Sequence, residues 1–239
     1  MTSLAFNRDC MEAMREFPDK FFDLAVVDPP YGDGCSQSVH VERERESGGP
    51  RYNRFGGQGS VFEKYKRFPD RREVGGEVRK KIVAWDVAPG KEYFDELFRV
   101  SRNQIIWGGN YFSLPPTRCF LVWQKTNVPQ DFTMAMAEYA WTSFIGNAKV
   151  FPFSAVGQIG RFHPTQKPLE LYAWIYKLFA KKGDKIIDTH LGSGSSRIAA
   201  YDAGLDFWGY EIDKVYFELQ EERFAKHAAQ ISLFIDEIE

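Results

Sequence analysis

The sequence predicts an α/β fold with a mostly parallel sheet of seven strands and helices on both faces. Residues 24–27 are four apolar residues, as expected of a buried parallel strand. Asp28 and two prolines follow them and end the strand, at the edge where such sheets bind ligands. Residues 185–203 have the order strand, glycine turn, helix, which is typical of nucleotide-binding sheets. Around these two stretches, apolar runs of strand length alternate with runs of helical spacing.

Length and composition limit the number of domains and the classes of protein to which this chain can belong. With 239 residues, of which 44% are hydrophobic and 16% aromatic, the chain can build one large core, and we expect a single domain over residues 1–239. No run reaches the roughly 18 apolar residues of a membrane helix, and no secretory signal is visible at the N-terminus. We therefore expect no membrane partner and a cytoplasmic location, in a bacterium or phage-encoded in a bacterial host.

Cysteine and histidine usage argues against disulfides and metals. The three cysteines are irregularly spaced, which predicts reduced thiols rather than a disulfide framework or a zinc site. They are Cys10, Cys35 and Cys119. The four histidines show no spacing typical of metal ligands, so we expect no metal.

The N-terminal segment predicts a strand, a helix and a second strand. Residues 3–6 form a short apolar strand, and residues 22–27 form the central strand that leads to Asp28. Between them a helix with apolar side chains at helical spacing follows Asp9. Asp9 is well placed to cap that helix.

From about residue 33 to residue 83 the periodic pattern is lost. Glycines interrupt this stretch, aromatic residues are interleaved, and between Arg51 and Lys81 there are ten basic and four acidic side chains. Such a mixture suits contact with phosphates and stacking on bases, so we predict a basic, flexible insertion that binds nucleic acid. A solvated loop is the alternative that composition leaves open. The side chains expected at phosphates are Arg51, Arg54, Lys64, Lys66, Arg67, Arg71 and Arg72.

The next stretch predicts a helix and three strands. Residues 92–99 have helical spacing, and residues 103–107 and 119–123 are apolar strands. The second half of residues 131–143 alternates in the manner of a strand, and we place it beside the preceding one. Residues 144–162 have no regular pattern and are predicted to be irregular.

The C-terminal third predicts helices and strands around the glycine turn. Pro168 opens a helix that Gly183 ends, and a strand at residues 185–188 leads into the turn and its helix. The next strand covers residues 207–212, and a long helix follows to about residue 230.

Asp28 at the end of its strand is suited to work on an exocyclic amino group. Such a nitrogen is a poor nucleophile because its lone pair is delocalised into the base. A carboxylate oxygen of Asp28 and the Pro29 carbonyl can each accept one N–H, which localises and orients that lone pair. Pro30 fixes the backbone, and Tyr31 is placed to stack on the base. A turn or cap acid before two prolines is the structural alternative.

Three motifs together resemble one family. Asp28-Pro29-Pro30-Tyr31 resembles the Asp-Pro-Pro-Tyr signature of the amino-group DNA methyltransferases, which use S-adenosylmethionine. Residues 163–168, His-Pro-Thr-Gln-Lys-Pro, are similar to a family element near the methionine end of the cofactor. The turn at residues 188–194 resembles the family's Asp-Pro-Phe-x-Gly-Ser-Gly, with Thr189-His190 in place of Pro-Phe. The motif order, with Asp-Pro-Pro-Tyr first, is that of the permuted group called β-class.

The resemblance implies a fold, a cofactor and a set of binding residues. The fold is the Rossmann-like S-adenosylmethionine-dependent methyltransferase fold. Glu211 is the acid about 20 residues after the glycine turn, where related folds hold ribose hydroxyls, and Asp213 is the better helix cap. The residues expected to bind S-adenosylmethionine are Asp9, Thr165, Lys167, Asp188, Gly192, Gly194, Ser195 and Glu211.

The predicted function is site-specific methylation of adenine N6 in double-stranded DNA, with the target base flipped out of the helix to reach Asp28. Asp before Pro-Pro-Tyr favours adenine over cytosine N4 within the family. Cytosine N4, an RNA base or a protein glutamine amide are alternative substrates, and a catalytically silent nucleic-acid-binding relative is the alternative from another class. A homodimer and a restriction endonuclease partner are both left open.

Overall fold

The structure, a computed structural model, describes residues 1–32, 87–128, 135–154 and 161–236, the last six of them as backbone only. The chain divides into two compact units, and the described residues belong almost entirely to the larger one, Met1–Tyr31 with Ala88–Glu239. The predicted basic insertion at about residues 33–83 lies outside the described residues. The same holds for its seven predicted phosphate contacts: Arg51, Arg54, Lys64, Lys66, Arg67, Arg71 and Arg72.

One eight-stranded sheet runs through the described part of the chain. Strands β1 to β8 are, in chain order, Ser3–Asn7, Phe22–Val27, Ser101–Trp107, Leu121–Lys125, Ala137–Thr142, Lys149–Phe153, Lys185–Asp188 and Asp206–Glu211. They lie in the order β1-β8-β7-β2-β3-β5-β4-β6. Strand β5 is antiparallel to both neighbours and every other pairing is parallel, so seven strands end at the same edge.

Helices cover both faces of this sheet. The helices are α1 Cys10–Met14, α2 Lys91–Val100, α3 Leu169–Phe179, α4 Ser195–Asp202 and α5 Lys214–Asp236. Because alternate residues of a strand point to opposite faces, β2 contributes to two cores. Leu24 and Val26 pack with residues of α3 and α4. Ala25 and Val27 pack with residues of α1 and α2.

The predicted class is confirmed, and the sheet has one strand more than the seven predicted. The additional strand is β6, which lies inside residues 144–162, the stretch predicted to be irregular. It pairs with β4, Val150 opposite Val122, at the end of the strand order. The strand is only five residues long and contains Pro152, a residue tolerated at sheet edges because its missing N–H removes no ladder bond there. A short run with proline carries little sequence signal.

Strand β2 stands where the chain connections diverge. From β2 the chain continues to β3 on one side, whereas from β7 it continues to β8 on the other. A crevice at such a switch point, outside the carboxyl ends of the strands, is the usual ligand site of an open α/β sheet. Asp28 follows β2, and Asp188 is the last residue of β7. Among the described helices, none has the length and apolar character that crossing a membrane requires.

Candidate active site

The Asp28 carboxylate is held on both oxygens by other side chains. Strand β2 is buried almost throughout, and Pro29 and Pro30 follow Asp28 directly, so the backbone at the strand end is fixed. Oδ1 accepts a hydrogen bond from the Tyr31 hydroxyl at 2.8 Å. Oδ2 accepts a short hydrogen bond from Nζ of Lys167. The acid at the strand end is therefore part of a charge pair, and the turn-acid alternative does not describe it.

Lys167 joins Asp28 to the antiparallel part of the sheet. Its Nζ lies 3.2 Å from Oε2 of Glu138 on β5, and Oε1 of Glu138 lies 2.7 Å from Nζ of Lys125 on β4. Burial works against protonation of Lys167, but Asp28 and Glu138 outweigh it and raise the pKa of this lysine. Burial also opposes ionisation of Glu138, yet the two lysines lower the pKa of that carboxyl. Burial raises the pKa of Asp28 against the attraction of Lys167.

Aromatic rings line the site beside Asp28. The Tyr31 ring is stacked on Tyr111, with centroids 4.7 Å apart and planes inclined by 12°. Tyr31 also packs against Gly108, which has φ +67°. A Cβ at Gly108 would lie 2.1 Å from the Tyr31 ring. Only glycine tolerates both the left-handed backbone and this approach, so Gly108 sets the position of Tyr31.

The glycine turn after β7 is tied to the end of β8. The backbone N–H of Gly192 donates to Oε2 of Glu211 at 2.8 Å, and the N–H of Asp213 donates to Oε1 at 2.9 Å. Gly192 has φ +52°, and a Cβ there would lie 3.3 Å from the His163 ring. The carboxylate of Glu211 thus stands at the edge of the sheet with each oxygen anchored by backbone. Asp213 caps α5 through hydrogen bonds to the N–H groups of Val215 and Tyr216.

Asp188 lies buried beneath this turn. Its carboxylate accepts a short hydrogen bond from Oγ of Ser196 and one from the N–H of His190 at 3.1 Å. Burial raises the pKa of Asp188 to about 7. Thr189 and His190, which replace Pro-Phe of the family motif, bond to each other at 3.0 Å, and Thr189 bonds to Tyr93 of α2 at 2.6 Å. This hydroxyl chain anchors the turn to α2.

The remaining predicted cofactor residues lie near the same edge. Asp9 follows β1 and caps α1 by accepting the N–H of Glu12 at 3.0 Å. Thr165 is hydrogen-bonded to Nδ1 of His163, the ring that covers Gly192. Oγ of Ser195 accepts from Arg223 of α5 at 2.9 Å. Gly194, at φ +73°, precedes the first residue of α4.

Comparison with known proteins finds DNA methylases and Type II methyltransferases among the similar sequences. The family described as DNA methylase, of the N6/N4 type, matches residues 112–222. The Type II methyltransferase M2.MboI of Moraxella bovis is 22% identical over 252 residues, covering 92% of this chain and 86% of its own. The Type II methyltransferase M2.DpnII of Streptococcus pneumoniae is 38% identical over 61 residues, covering 26% of this chain and 23% of its own.

Over residues 112–222, which is less than half of the chain, the sequence is similar to the amino-group DNA methyltransferases. TTHA0409 of Thermus thermophilus, solved in complex with S-adenosyl-L-methionine, is 16% identical with a TM-score of 0.53. The match covers 95% of this chain and 94% of TTHA0409. The cytosine-N4-specific PvuII DNA methyltransferase is 12% identical with a TM-score of 0.54, covering 94% of this chain and 86% of its own. These similarities confirm the predicted Rossmann-like methyltransferase fold.

The predicted cofactor is S-adenosylmethionine, and the residues at the strand edge fit it. The left-handed glycine at position 192 lets backbone approach a ligand where a side chain would block it. The Glu211 carboxylate has lone pairs beyond the two that backbone N–H groups use, as hydrogen bonds to ribose hydroxyls require. We propose that Glu211, Gly192 and Asp188 form the cofactor cradle.

Several residues of the site went unpredicted. Glu138 lies in a strand predicted from its alternation, and that pattern gives no reason to single out one acid. Lys125 is a strand-end lysine of ordinary appearance. A signal did exist for Gly108, since two consecutive glycines after a buried strand indicate a close backbone approach. Tyr111 lies shortly after that pair of glycines, and its sequence context predicted no function.

Proposed function

We propose that this methyltransferase transfers the methyl group of S-adenosylmethionine to N6 of adenine in double-stranded DNA. The observation that carries the proposal is the Asp28 carboxylate, fixed at the end of β2 with Tyr31 beside it. Asp rather than Ser at this position of the family motif favours adenine over cytosine N4. The base must leave the duplex because its amino group is engaged in pairing within the stack.

Asp28 and Pro29 prepare the amino group for attack. One oxygen of Asp28 and the Pro29 carbonyl each accept an N–H of the target amine, which restores its lone pair and directs it. Oδ1 of Asp28 has a second lone pair, so it can hold the Tyr31 hydroxyl and the amine together. When bound, S-adenosylmethionine supplies an electrophilic methyl group on a sulfonium. The proton that the amine loses passes from Asp28 to water.

The aromatic rings beside Asp28 hold the flipped base. Tyr31 presents a flat ring at the site and Tyr111 stacks on that ring, half exposed, at 47% accessibility. A base entering the site replaces or extends this stack, since every base has a face that stacks on an aromatic ring. The geometry therefore provides the amine acceptor and the base platform within one short segment.

The test is the identity of the methylated base. DNA from a host without endogenous methylation, expressing either the wild-type chain or Asp28→Ala, is hydrolysed and analysed by mass spectrometry, and read by single-molecule sequencing. We expect N6-methyladenine at one sequence motif with the wild type and none with the variant. N4-methylcytosine would contradict the adenine assignment while leaving DNA methylation intact.

We further propose that the basic insertion binds DNA phosphates. The support is its charge, ten basic against four acidic side chains between Arg51 and Lys81. Serine at Lys64, Lys66, Arg67, Arg71 and Arg72 should weaken duplex binding and flatten its salt dependence, by a slope of about 0.9 for each phosphate that is no longer neutralised. A duplex titration at several salt concentrations measures this slope. An unchanged slope with a lower melting temperature would mean that these charges stabilise the fold.

The proposed setting is the cytoplasm of a bacterium. The relative M2.MboI comes from a bacterium, and chromosomal or phage DNA is accessible to an enzyme there.

A further inference from the structure

Four charged side chains of alternating sign run from Asp28 into the sheet. Asp28, Lys167, Glu138 and Lys125 contact each other in that order, with Lys167 between the two acids and Glu138 between the two lysines. They come from the end of β2, from the segment before α3, from β5 and from β4. No two of these elements are consecutive in the chain except β4 and β5, so the row is a product of the fold. We call these four side chains the charge row.

The charge row is largely out of contact with water. The Lys167 side chain is 3% exposed, Lys125 8%, Asp28 14% and Glu138 24%. The Lys167 ammonium also lies 5.3 Å from the centre of the Trp107 ring, and the Lys125 ammonium 5.0 Å from that of Trp123. Charges in such surroundings act on one another with little screening. A change in the charge of one member therefore shifts the pKa of its neighbours.

Glu138 and Asp28 share one ammonium. If Glu138 were neutral, Lys167 would have Asp28 as its sole carboxylate, and the pair would tighten. An acid that is more tightly paired is a weaker acceptor for the N–H of a substrate amine, because its negative charge is already compensated. Sharing leaves the negative charge of Asp28 less fully compensated, so Asp28 is a stronger acceptor.

We propose that Glu138 is a positioning residue for methyl transfer, which keeps Asp28 a strong acceptor by drawing the Lys167 ammonium partly away from it. Glu138 does not touch the substrate and acts through Lys167. Lys125 contacts the other carboxylate oxygen of Glu138 and competes with Lys167 for its charge. The inference rests on the proposed role of Asp28 in accepting the target amine, and it holds for adenine and cytosine alike.

The charge row fixes the direction in which each substitution shifts the pKa of Asp28. Loss of the Lys167 charge removes a cation next to Asp28 and raises its pKa, and loss of the Glu138 charge removes an anion and lowers it. Loss of the Lys125 charge frees Glu138 to draw more on Lys167, which raises the pKa of Asp28 again. The groups that face Asp28 from the surrounding elements are Lys167, Tyr31, Glu138, Tyr93, Tyr172 and Asp188. All except Lys167 and Glu138 stay unchanged in these variants.

The test is the pH profile of single-turnover methyl transfer to duplex DNA, with radiolabelled S-adenosylmethionine already bound. We expect the acidic midpoint to move to higher pH in Lys167→Met, to lower pH in Glu138→Gln, and to higher pH by less in Lys125→Met. At neutral pH, Glu138→Gln should be slower by about tenfold, the scale of one redistributed charge-assisted hydrogen bond. The affinity of Glu138→Gln and Lys125→Met for S-adenosylmethionine should stay within a few-fold, because neither residue is expected to bind the cofactor.

Glu222→Gln is the matched control, because Glu222 forms an exposed pair with Lys226 on α5 and lies outside the row. Its profile should equal that of the wild type. Where Glu138→Gln does not fold, Glu138→Asp retracts the charge without deleting it and should give a smaller shift to lower pH. Shifts of the same sign in all variants, or unchanged midpoints, would overturn the inference. A wild-type chain that transfers no methyl group would instead contradict the proposed function.

Discussion

The two halves of the proposed active site, one for the cofactor and one for the target amine, hold their carboxylates in different ways. In the cofactor half, Glu211 is anchored by the backbone N–H of Gly192, 19 residues away, and Asp188 by Ser196, 8 residues away. In the amine half, Asp28 is paired with Lys167, which is 139 residues away in the chain. These two donors, a backbone N–H and a hydroxyl, lie within 20 residues of the carboxylates that they hold. The amine half depends instead on the balance of buried charges brought together by the sheet.

Because the two halves differ in this way, substitutions in them should change different measured quantities. A change in the cofactor half should act on affinity for S-adenosylmethionine and on stability. A change in the amine half should act on the rate of methyl transfer and on its pH dependence. Substitutions in each half can therefore test whether cofactor affinity and methyl-transfer rate respond separately.

Replacing Asp28 should have the largest effect. Asp28→Ala removes the acceptor that activates the amine, and we expect methyl transfer to fall by roughly 10³-fold or more. Affinity for S-adenosylmethionine, measured by calorimetry, should stay within a few-fold because the acid acts mainly on the target amine. Transfer of radiolabelled methyl groups near the wild-type rate would refute the role of Asp28.

Replacing Glu211, in the cofactor half, should weaken the binding of S-adenosylmethionine. Glu211→Ala removes the carboxylate expected at the ribose, and loss of charge-assisted hydrogen bonds costs on the order of 1.5–3 kcal/mol of binding free energy. Calorimetry should show S-adenosylmethionine bound about 10- to 100-fold more weakly. Glu218→Ala, an exposed acid of α5, is the control. Equal affinity of wild type and Glu211→Ala would exclude Glu211 from the cofactor site.

Asp188 should make stability depend on pH. Its pKa of about 7 in the folded chain lies above the usual value near 4, so between these pH values the folded state binds a proton that the unfolded chain has released. Stability therefore falls as pH rises through this window. Asp188→Asn should flatten that fall by on the order of 1–2 kcal/mol between pH 5 and pH 8.

Urea unfolding of both proteins at the two pH values measures this difference, and subtraction cancels the other titrating groups. A variant whose stability changes with pH as much as that of the wild type would show that Asp188 is ionised in the folded chain throughout.

Tyr111 should give the smallest effect. Tyr111→Ala removes the ring stacked on Tyr31 and weakens the platform for the flipped base, by about 1 kcal/mol. The KM for duplex DNA should rise about fivefold, whereas Tyr111→Phe, which keeps the ring, should resemble the wild type. If the phenylalanine variant is impaired as much as the alanine variant, the hydroxyl of Tyr111 matters rather than its stacking.

The cofactor half was predictable because its signals are local. The strand at residues 185–188, the glycine turn and Glu211 lie within 27 residues of sequence, and each carries a recognised spacing. The structure places the turn and Glu211 in contact as this spacing implies. Even the substitution of Thr189-His190 for the family's Pro-Phe left the turn in place, since Tyr93 anchors it from α2.

The amine half was predictable only in part. Asp28 and Tyr31 stand in a contiguous motif, and their hydrogen bond spans three residues. Lys167 was expected to face the cofactor, whereas the structure places its ammonium between Asp28 and Glu138, so a role at the cofactor stays a prediction. Strand β6 was missed because a five-residue edge strand with a proline has almost no periodic signal.

The α/β class, the strand that presents Asp28, the glycine turn and the family resemblance were predictable from the sequence, because each depends on residues close together in the chain. The charge row, the contact of Tyr31 with Gly108 and the eighth strand could be seen only in the tertiary structure. These depend on which strands become neighbours, and strand order is set by packing the whole sheet against its helices. A charged side chain gives no sign in sequence of the partner it will meet across a fold.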